Sequence, residues 1–328
     1  MASSETNTAL RWSDPHWLAE ATAWIDANVE RTGELDRFHS YPWATAIRVP
    51  TAAGIVWFKA CIAELANEVS TLELLNARRP DAVPGLLAGD RERGWMLLED
   101  AGERMRELEP LGGQLERWET AVRLYAELQL DLAPAADRFA AAGVPDRRGR
   151  VAEGFRAVLG DERATKPTSE SALTDEELER IHAVVPRLAD AEEELDQLGL
   201  PYTIQHDDLH DANVFVRDGS YRIIDWGDAC VANPLLSLTV ALAVVAYRFG
   251  VEDDAPEVVR VQAAYLEPFA ALVPAAELER AAPIARLVGY ACGTIKWHEV
   301  MSAISREQRA PFDVELPERL RRMLELCG

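Results

Sequence analysis

The chain has 328 residues, 48% hydrophobic and 27% charged, enough for one large or two moderate domains with packed cores. Its 56 acidic against 34 basic residues leave a net charge of −22, which argues against nucleic acid and anionic membrane surfaces as partners. Residues 1–12 lack a cationic start followed by an apolar run, the longest apolar run (Leu235 to Tyr247) is too short to span a bilayer, and Cys61, Cys230, Cys292 and Cys327 show no zinc or redox spacing, so a reduced cytoplasm is expected.

In chain order, Asp14-Pro15 reads as an N-cap followed by proline at the first helical position, opening a helix to about Val29. Phe38-His-Ser-Tyr-Pro-Trp43 then precedes two β-patterned runs, Trp43–Val49 and Ile55–Ala60, joined by a five-residue Pro-Thr-Ala-Ala-Gly turn. Alternation puts Trp57 on the same face as Lys59. A helix from Ala63 to about Ala77 aligns Leu65, Glu68, Leu72 and Leu75. A carboxylate in an apolar stripe is costly unless paired, and Lys59 is the expected partner of Glu68, with Glu64 one turn away as the competitor. Trp95-Met-Leu-Leu-Glu-Asp-Ala-Gly102 reads as a buried strand entering a turn, and a domain boundary is placed near Gly102.

The remainder is mostly helical. Gln114–Leu132 is amphipathic, Ala135–Thr168 reads as an irregular, mobile insertion, and a Thr174/Glu177 capping box opens a helix running to Gly199. Further helices are expected at Leu235–Phe249, around Val258–Phe269, through Gly289–Ile304 and near Pro317–Leu326. No G-x-x-x-x-G-K-[ST] occurs, which removes P-loop kinases.

The stretch Tyr202–Asp228 carries the chemistry. Val214–Val216 and Tyr221–Ile224 flank an Arg-Asp-Gly-Ser turn and predict a hairpin whose two ends bring Asn213 and Asp225 side by side. His206, Asp208 and Asn213 fill H-x-D-x-x-x-x-N, and Asp225 and Gly227 fill D-x-G, the catalytic and metal elements of kinase-type phosphotransferases. The alternative is a polar loop between buried strands.

His206-Asp-Asp-Leu-His-Asp-Ala-Asn213 followed by Ile224-Asp-Trp226 resembles the aminoglycoside phosphotransferase family and its kin, the choline and small-sugar kinases, from about residue 36 onward. Asp207 stands where that family usually has glycine, and Asp211 is an added carboxylate. The resemblance implies an α+β, bilobal protein-kinase-like fold, with a small antiparallel-sheet nucleotide-binding lobe (1–102) and a mainly helical catalytic and substrate-binding lobe (103–328). It implies that Asp208 orients the acceptor hydroxyl, that Asn213 and Asp225 hold Mg²⁺, and that Lys59, paired with Glu68, holds the nucleotide phosphates. It further implies adenine stacking on Trp57, main-chain contacts to adenine from Glu99 and Ala101, a phosphate contact from Ser40, and acceptor contacts from Trp297 and Glu299. Phe38–Trp43 takes the place of a phosphate-covering loop, without a G-x-G-x-x-G signature. His206 is expected to pack beneath the loop.

The expected activity is ATP- (or GTP-) and Mg²⁺-dependent phosphorylation of a small hydroxylated molecule. An aminoglycoside-like or other antibiotic is the first acceptor class, and an amino sugar or choline-type alcohol the second. The acidic balance, with Asp207, Asp211 and Asp228 near the base, favours a cationic acceptor. A metal-dependent phosphohydrolase built on His206-Asp207 and His210-Asp211, and a non-catalytic nucleotide-binding protein, are the competing classes.

Overall fold

The computed structural model describes residues 11–108, 111–167 and 171–327, so the reading of the first ten residues and of Thr168 lies outside the described residues. Helix α1 (Pro15–Asn28) is capped by Asp14, whose carboxylate accepts from the amides of His16 and Trp17 at 2.7 and 3.2 Å. It lays Trp17 and Trp24 against Phe58 and Trp95, ring centroids 5.8–6.4 Å apart. Those rings belong to a five-stranded antiparallel sheet of β1 (Asp36–Ser40), β2 (Ala44–Thr51), β3 (Gly54–Cys61), β4 (Leu86–Asp90) and β5 (Trp95–Glu99), ordered β1-β2-β3-β5-β4. Between β3 and β4, a short 3-10 turn (Ala63–Leu65) leads into α2 (Asn67–Arg78).

Two details of the sheet depart from the sequence reading. The expected five-residue turn shrinks to Ala52-Ala53, because Pro50 pairs with Ile55 and Thr51 with Gly54. Gly54 takes φ +122°, which a residue with a Cβ rarely adopts, and the carbonyl of Pro50 accepts from the Thr32 amide at 2.9 Å. The segment expected as a phosphate-covering loop is half strand: Asp36–Ser40 pairs with β2, leaving only Tyr41–Trp43 as the connection.

After Glu99 the chain crosses to a second, three-stranded sheet. Here β6 (Glu103–Arg104) pairs with β8 (Val214–Arg217), which pairs with β9 (Ser220–Ile223), while β7 (Thr203–Gln205) and β10 (Cys230–Ala232) form a separate two-stranded ladder. The crossing is tight at Gly102, with φ +103°, where a Cβ would lie 2.3 Å from the carbonyl oxygen of Val216.

Helices make up the rest: α3 (Met105–Leu108), α4 (Leu111–Leu132), α5 (Ala136–Ala141), α6 (Val151–Leu159), α7 (Glu162–Thr165), α8 (Asp175–His182), α9 (Val184–Gln197), α10 (Leu238–Phe249), α11 (Pro256–Leu266), α12 (Ala275–Ala303), α13 (Arg306–Arg309) and α14 (Glu315–Cys327). Helix α12 is central and packs against α6, α9, α10 and α14. The irregular insertion expected over 135–168 is instead structured, with Phe139, Phe155 and Val158 fully buried. Gly154 lets α6 approach α12, since a Cβ there would meet Ile295 at 2.8 Å. The Thr174/Glu177 capping box is present, but the helix it opens stops at His182. Pro186 has no amide hydrogen to donate to the His182 carbonyl, so a new helix starts at Val184. Helix α12 begins well before Gly289, which marks instead its crossing with α10: a Cβ there would lie 2.3 Å from Thr239 Oγ1.

Candidate active site

The β8–β9 hairpin pairs Val214 with Ile223, and the Ile224 amide donates to the Asn213 carbonyl at 3.0 Å. The chain then turns through Asp225, held left-handed at φ 67°, ψ 54°, so that the Trp226 amide donates to Glu68 Oε1 at 3.2 Å. Glu68 is 1% exposed and faces Lys59, whose Nζ lies 2.8 Å from Oε1 and 2.6 Å from Oε2. Lys59 Nζ also contacts the Asp225 carboxylate. Burial alone would discharge the lysine, but Asp225 and Glu68 outweigh it and raise the pKa of the ammonium. Partial desolvation would raise Asp225, whose side chain stays half exposed, and Lys59 outweighs it, holding that carboxyl below its ordinary range. Glu68 goes the other way, since its burial exceeds the help from Lys59. Glu64 does not compete for Lys59; its backbone carbonyl accepts from Lys296 Nζ at 2.8 Å.

Lys59 and Asp225 line a cavity of about 750 Å³ whose walls come from both sheets, with Phe215 and Ile224 also on its lining. Trp57 lines it too, with its indole N–H donating to Asp100 Oδ2 at 2.8 Å. Phe38 meets Trp57 edge-on at 5.2 Å, and the Arg48 guanidinium lies over both rings at 4.9 and 5.2 Å. Glu99 and Ala101 are on the wall. Ser40 is not: its hydroxyl bonds Thr45 Oγ1 at 2.7 Å, and its neighbour His39 faces the cavity instead. Arg48 and Phe215 are lining residues that sequence reasoning missed, and Phe38, expected in a phosphate-covering segment, instead lies against Trp57. The strand register carried the signal, because Ala46 and Arg48 of β2 sit opposite Lys59 and Trp57 of β3.

Asp208 lies across the hairpin end. Its Oδ2 accepts from Asn213 Nδ2 at 3.2 Å and is 3.4 Å from His210 Nε2. That bond uses the amide nitrogen of Asn213 and leaves the amide oxygen as an acceptor. Beneath the loop, His206 is fully buried: Nε2 bonds the Ile224 carbonyl at 2.8 Å and Nδ1 accepts from the Asp208 amide at 3.3 Å. Burial lowers its pKa, so the ring is a neutral strut that ties the loop to the hairpin.

A second cavity, of about 480 Å³, opens on the other side of Asp208 among α10, α12 and α14. Asp207 and Asp228 face it with Asp208, as do Lys296, Trp297 and Arg319. Burial, reinforced by Asp208, pushes Asp228 up to about 8. Burial likewise pushes Asp207 up to about 6, against the Gln205 hydrogen bond at 2.9 Å and the nearby Arg147. Two expectations fail here. Asp211 adds no free charge to this cavity, being buried in ion pairs with Arg106 and, at 3.3 Å, Arg248. Glu299 pairs with Arg147 and lies off the wall that Trp297 helps to form. Lys296 and Arg319 were missed, since nothing in the local sequence of α12 and α14 shows where their faces meet. Cys230 and Cys292, far apart in sequence, have their sulfurs 3.7 Å apart in the interior.

The phosphohydrolase alternative does not fit these contacts. Both nitrogens of His206 are used within the fold, and Asp211 is held by two arginines. Among the described residues, no helix is long and apolar enough to cross a membrane.

The family profile described as "Phosphotransferase enzyme family" matches residues 62–284 of the chain. No curated protein matches it by sequence. Among solved structures, it is similar to choline kinase LicA from Streptococcus pneumoniae (TM-score 0.61, 12% identity, 94% of this chain and 99% of the other). It is also similar to a macrolide 2'-phosphotransferase type I (TM-score 0.59, 16% identity, 92% and 97%). A third likeness is to a spectinomycin phosphotransferase in complex with ADP and spectinomycin (TM-score 0.50, 13% identity, 94% and 97%). With the profile covering more than half of the chain and a kinase-like fold around the cleft, the chain belongs to the phosphotransferase enzyme family and is an enzyme of the small-molecule kinase kind.

Proposed function

We propose that this enzyme transfers the γ-phosphoryl group of Mg²⁺-bound ATP to a hydroxyl of a small molecule. One observation carries the reading: a charge-paired lysine and a base-like aspartate flank one hairpin end, each open to its own cavity. In this reading Lys59, steadied by Glu68, binds the phosphates, while Trp57, with Phe38 and Arg48, holds adenine. The main chain of Glu99 and Ala101 borders the adenine edge, and the lobes divide at Gly102 (1–102 and 103–328). The Asp225 carboxylate and the free amide oxygen of Asn213 are hard donors of the kind Mg²⁺ takes, and a two-ligand set completed by phosphate oxygens suits it. When bound, the metal supplies charge neutralisation on the phosphates. Asp208, fixed by Asn213 and His210, aligns the acceptor hydroxyl and takes its proton as the O–P bond forms. An enzyme spending ATP in this way belongs in the cytoplasm.

The similar structures span a choline kinase and antibiotic phosphotransferases, so both classes expected from sequence, antibiotic inactivation and amino-alcohol phosphorylation, are forms of this reading. The test is coupled ADP release over aminoglycosides, other antibiotics, choline, amino sugars and hydroxylated amino acids. Mg²⁺-dependent turnover of one of them is expected. Absence of Mg²⁺-dependent nucleotide binding would refute it.

A further inference from the structure

The acceptor cavity departs from the negative cleft that a cationic acceptor calls for. Arg319 of α14 lies over the rings of Trp297 and Tyr290, at 5.7 and 6.0 Å from their centroids. Stacking of this kind covers the guanidinium's face and leaves its N–H edge for a planar anion. Lys296 is 5% exposed and spends one donor on the Glu64 carbonyl. Among the described residues neither cation forms an ion pair, whereas Arg106 on the same wall is paired with Asp211 and the more distant Arg147 with Glu299.

Gly293 of α12 shows how these charges are arranged. A point one Cβ away from its backbone lies 3.7 and 4.0 Å from the two carboxylate oxygens of Asp207, and 3.9 Å from Nη1 of Arg319. A carboxylate and a guanidinium thus flank one open point without forming an ion pair. Any side chain at this position would fill it. The carboxylate is Asp207, whose backbone is left-handed at φ 64° and whose Oδ1 is held by a hydrogen bond from Gln205 Nε2 at 2.9 Å. Asp208, the next residue, lines the same cavity, and Val240, Ala243 and Val244 of α10 supply an apolar wall.

A ligand for such a point carries an ammonium and a carboxylate on neighbouring atoms. We propose that the acceptor is a hydroxylated α-amino acid, its ammonium on Asp207, its carboxylate on Arg319 above Gly293, and its side-chain hydroxyl directed at Asp208. This rests on the phosphotransferase reading and narrows it. The product is the O-phosphoamino acid: the hydroxyl oxygen bonds phosphorus, ADP leaves, and the proton passes to Asp208. The cavity's 480 Å³ lies within the range of small-molecule sites and leaves length for a side chain between head group and hydroxyl.

The experiment measures ADP release with L-serine, L-threonine, L-homoserine and 5-hydroxy-L-lysine. Each is compared with its carboxamide and its N-acetyl derivative, and choline and an aminoglycoside serve as controls. At least one free amino acid is expected to turn over, with its amide and N-acetyl forms roughly 10- to 100-fold poorer in kcat/KM, the scale of a lost charge-assisted hydrogen bond. Arg319→Gln should raise KM for the amino acid by a similar factor and erase discrimination against the amide. Asp207→Asn, which tolerates the left-handed backbone, should erase discrimination against the N-acetyl form. The inference is overturned if no amino acid is turned over, if choline or the aminoglycoside is preferred, or if both variants keep the wild-type KM and selectivity. Calorimetry with Mg²⁺ and ATP alone separates the two levels. If nucleotide binds but the amino acids fail, only this inference falls; if nucleotide does not bind, the phosphotransferase reading falls with it.

Discussion

The two cavities on either side of the hairpin are built by different means. In the nucleotide-side cleft the charges are consumed by one another: Lys59 is held by Glu68 and Asp225. Two of its aromatic residues, Phe38 of β1 and Trp57 of β3, come from one sheet and meet across β2, and Phe215 comes from the other sheet. In the acceptor-side cavity, Asp207, Asp228, Lys296 and Arg319 come from a loop, a 3-10 turn and two helices, and face one another across open space. The first arrangement suits a ligand whose charge is always the same, because phosphate and metal simply join an existing alternation of charge. The second leaves selectivity for a ligand to whichever charges remain unpaired.

The largest expected effect falls at the junction of the two. Asp208→Asn should lower kcat by roughly 10²- to 10⁴-fold, the scale of a positioned base, with nucleotide affinity measured by calorimetry little changed. Near-normal turnover in the folded variant would remove Asp208 from the chemistry. On the nucleotide side, Lys59→Met should lower kcat/KM for ATP by on the order of 10²- to 10³-fold, since it removes a preorganised charge from the phosphates. Asp225→Ala should abolish the Mg²⁺ dependence of nucleotide binding. A fully retained ATP affinity in both variants would place the nucleotide elsewhere.

A smaller effect tests the aromatic wall. Trp57→Ala should weaken ATP binding by about tenfold, in line with loss of one base-stacking ring, and an unchanged affinity would leave the ring to Phe38 and Arg48 alone. The smallest is a stability effect on the acceptor side. The folded state raises Asp228 to about 8 through burial and the nearby Asp208, so it holds a proton that the unfolded chain releases near its ordinary value. Ionisation therefore costs the fold increasingly as pH climbs from about 4 to about 8. Asp228→Asn should accordingly raise Tm, more at pH 8 than at pH 5. A gain that is equal at both values, or a loss, would show that this carboxyl is not strained by its surroundings.

Much of the geometry around the hairpin was legible because it is local. His206, Asp208 and Asn213 are fixed relative to one another by a short loop, and the β8–β9 turn must return Asp225 to Asn213. Glu68 announced its pairing with Lys59 by standing in an apolar stripe, where an unpaired carboxylate is too costly. Ser40 was misplaced because the strand β1 runs further than its composition suggests, and pairing with β2 turns its hydroxyl to Thr45. The stretch 135–168 was misread because Gly154 and its small neighbours look like breakers, whereas glycine there permits close helix contact.

What the sequence by itself determined was thus the order of the kinase-like elements, the hairpin that brings Asp208, Asn213 and Asp225 together, and the lysine–glutamate pair, all set by spacing, period and the cost of an unpaired charge. The tertiary structure alone decided which acidic groups stay free. Asp211 is neutralised by Arg106 and Arg248, from elements more than thirty residues away on either side, and Glu299 is turned aside to Arg147. Arg319 and Asp207 come to flank the space over Gly293 only because α12 packs against α14. Charge is counted in sequence, but its effect depends on distance and burial, and those are properties of the packed chain.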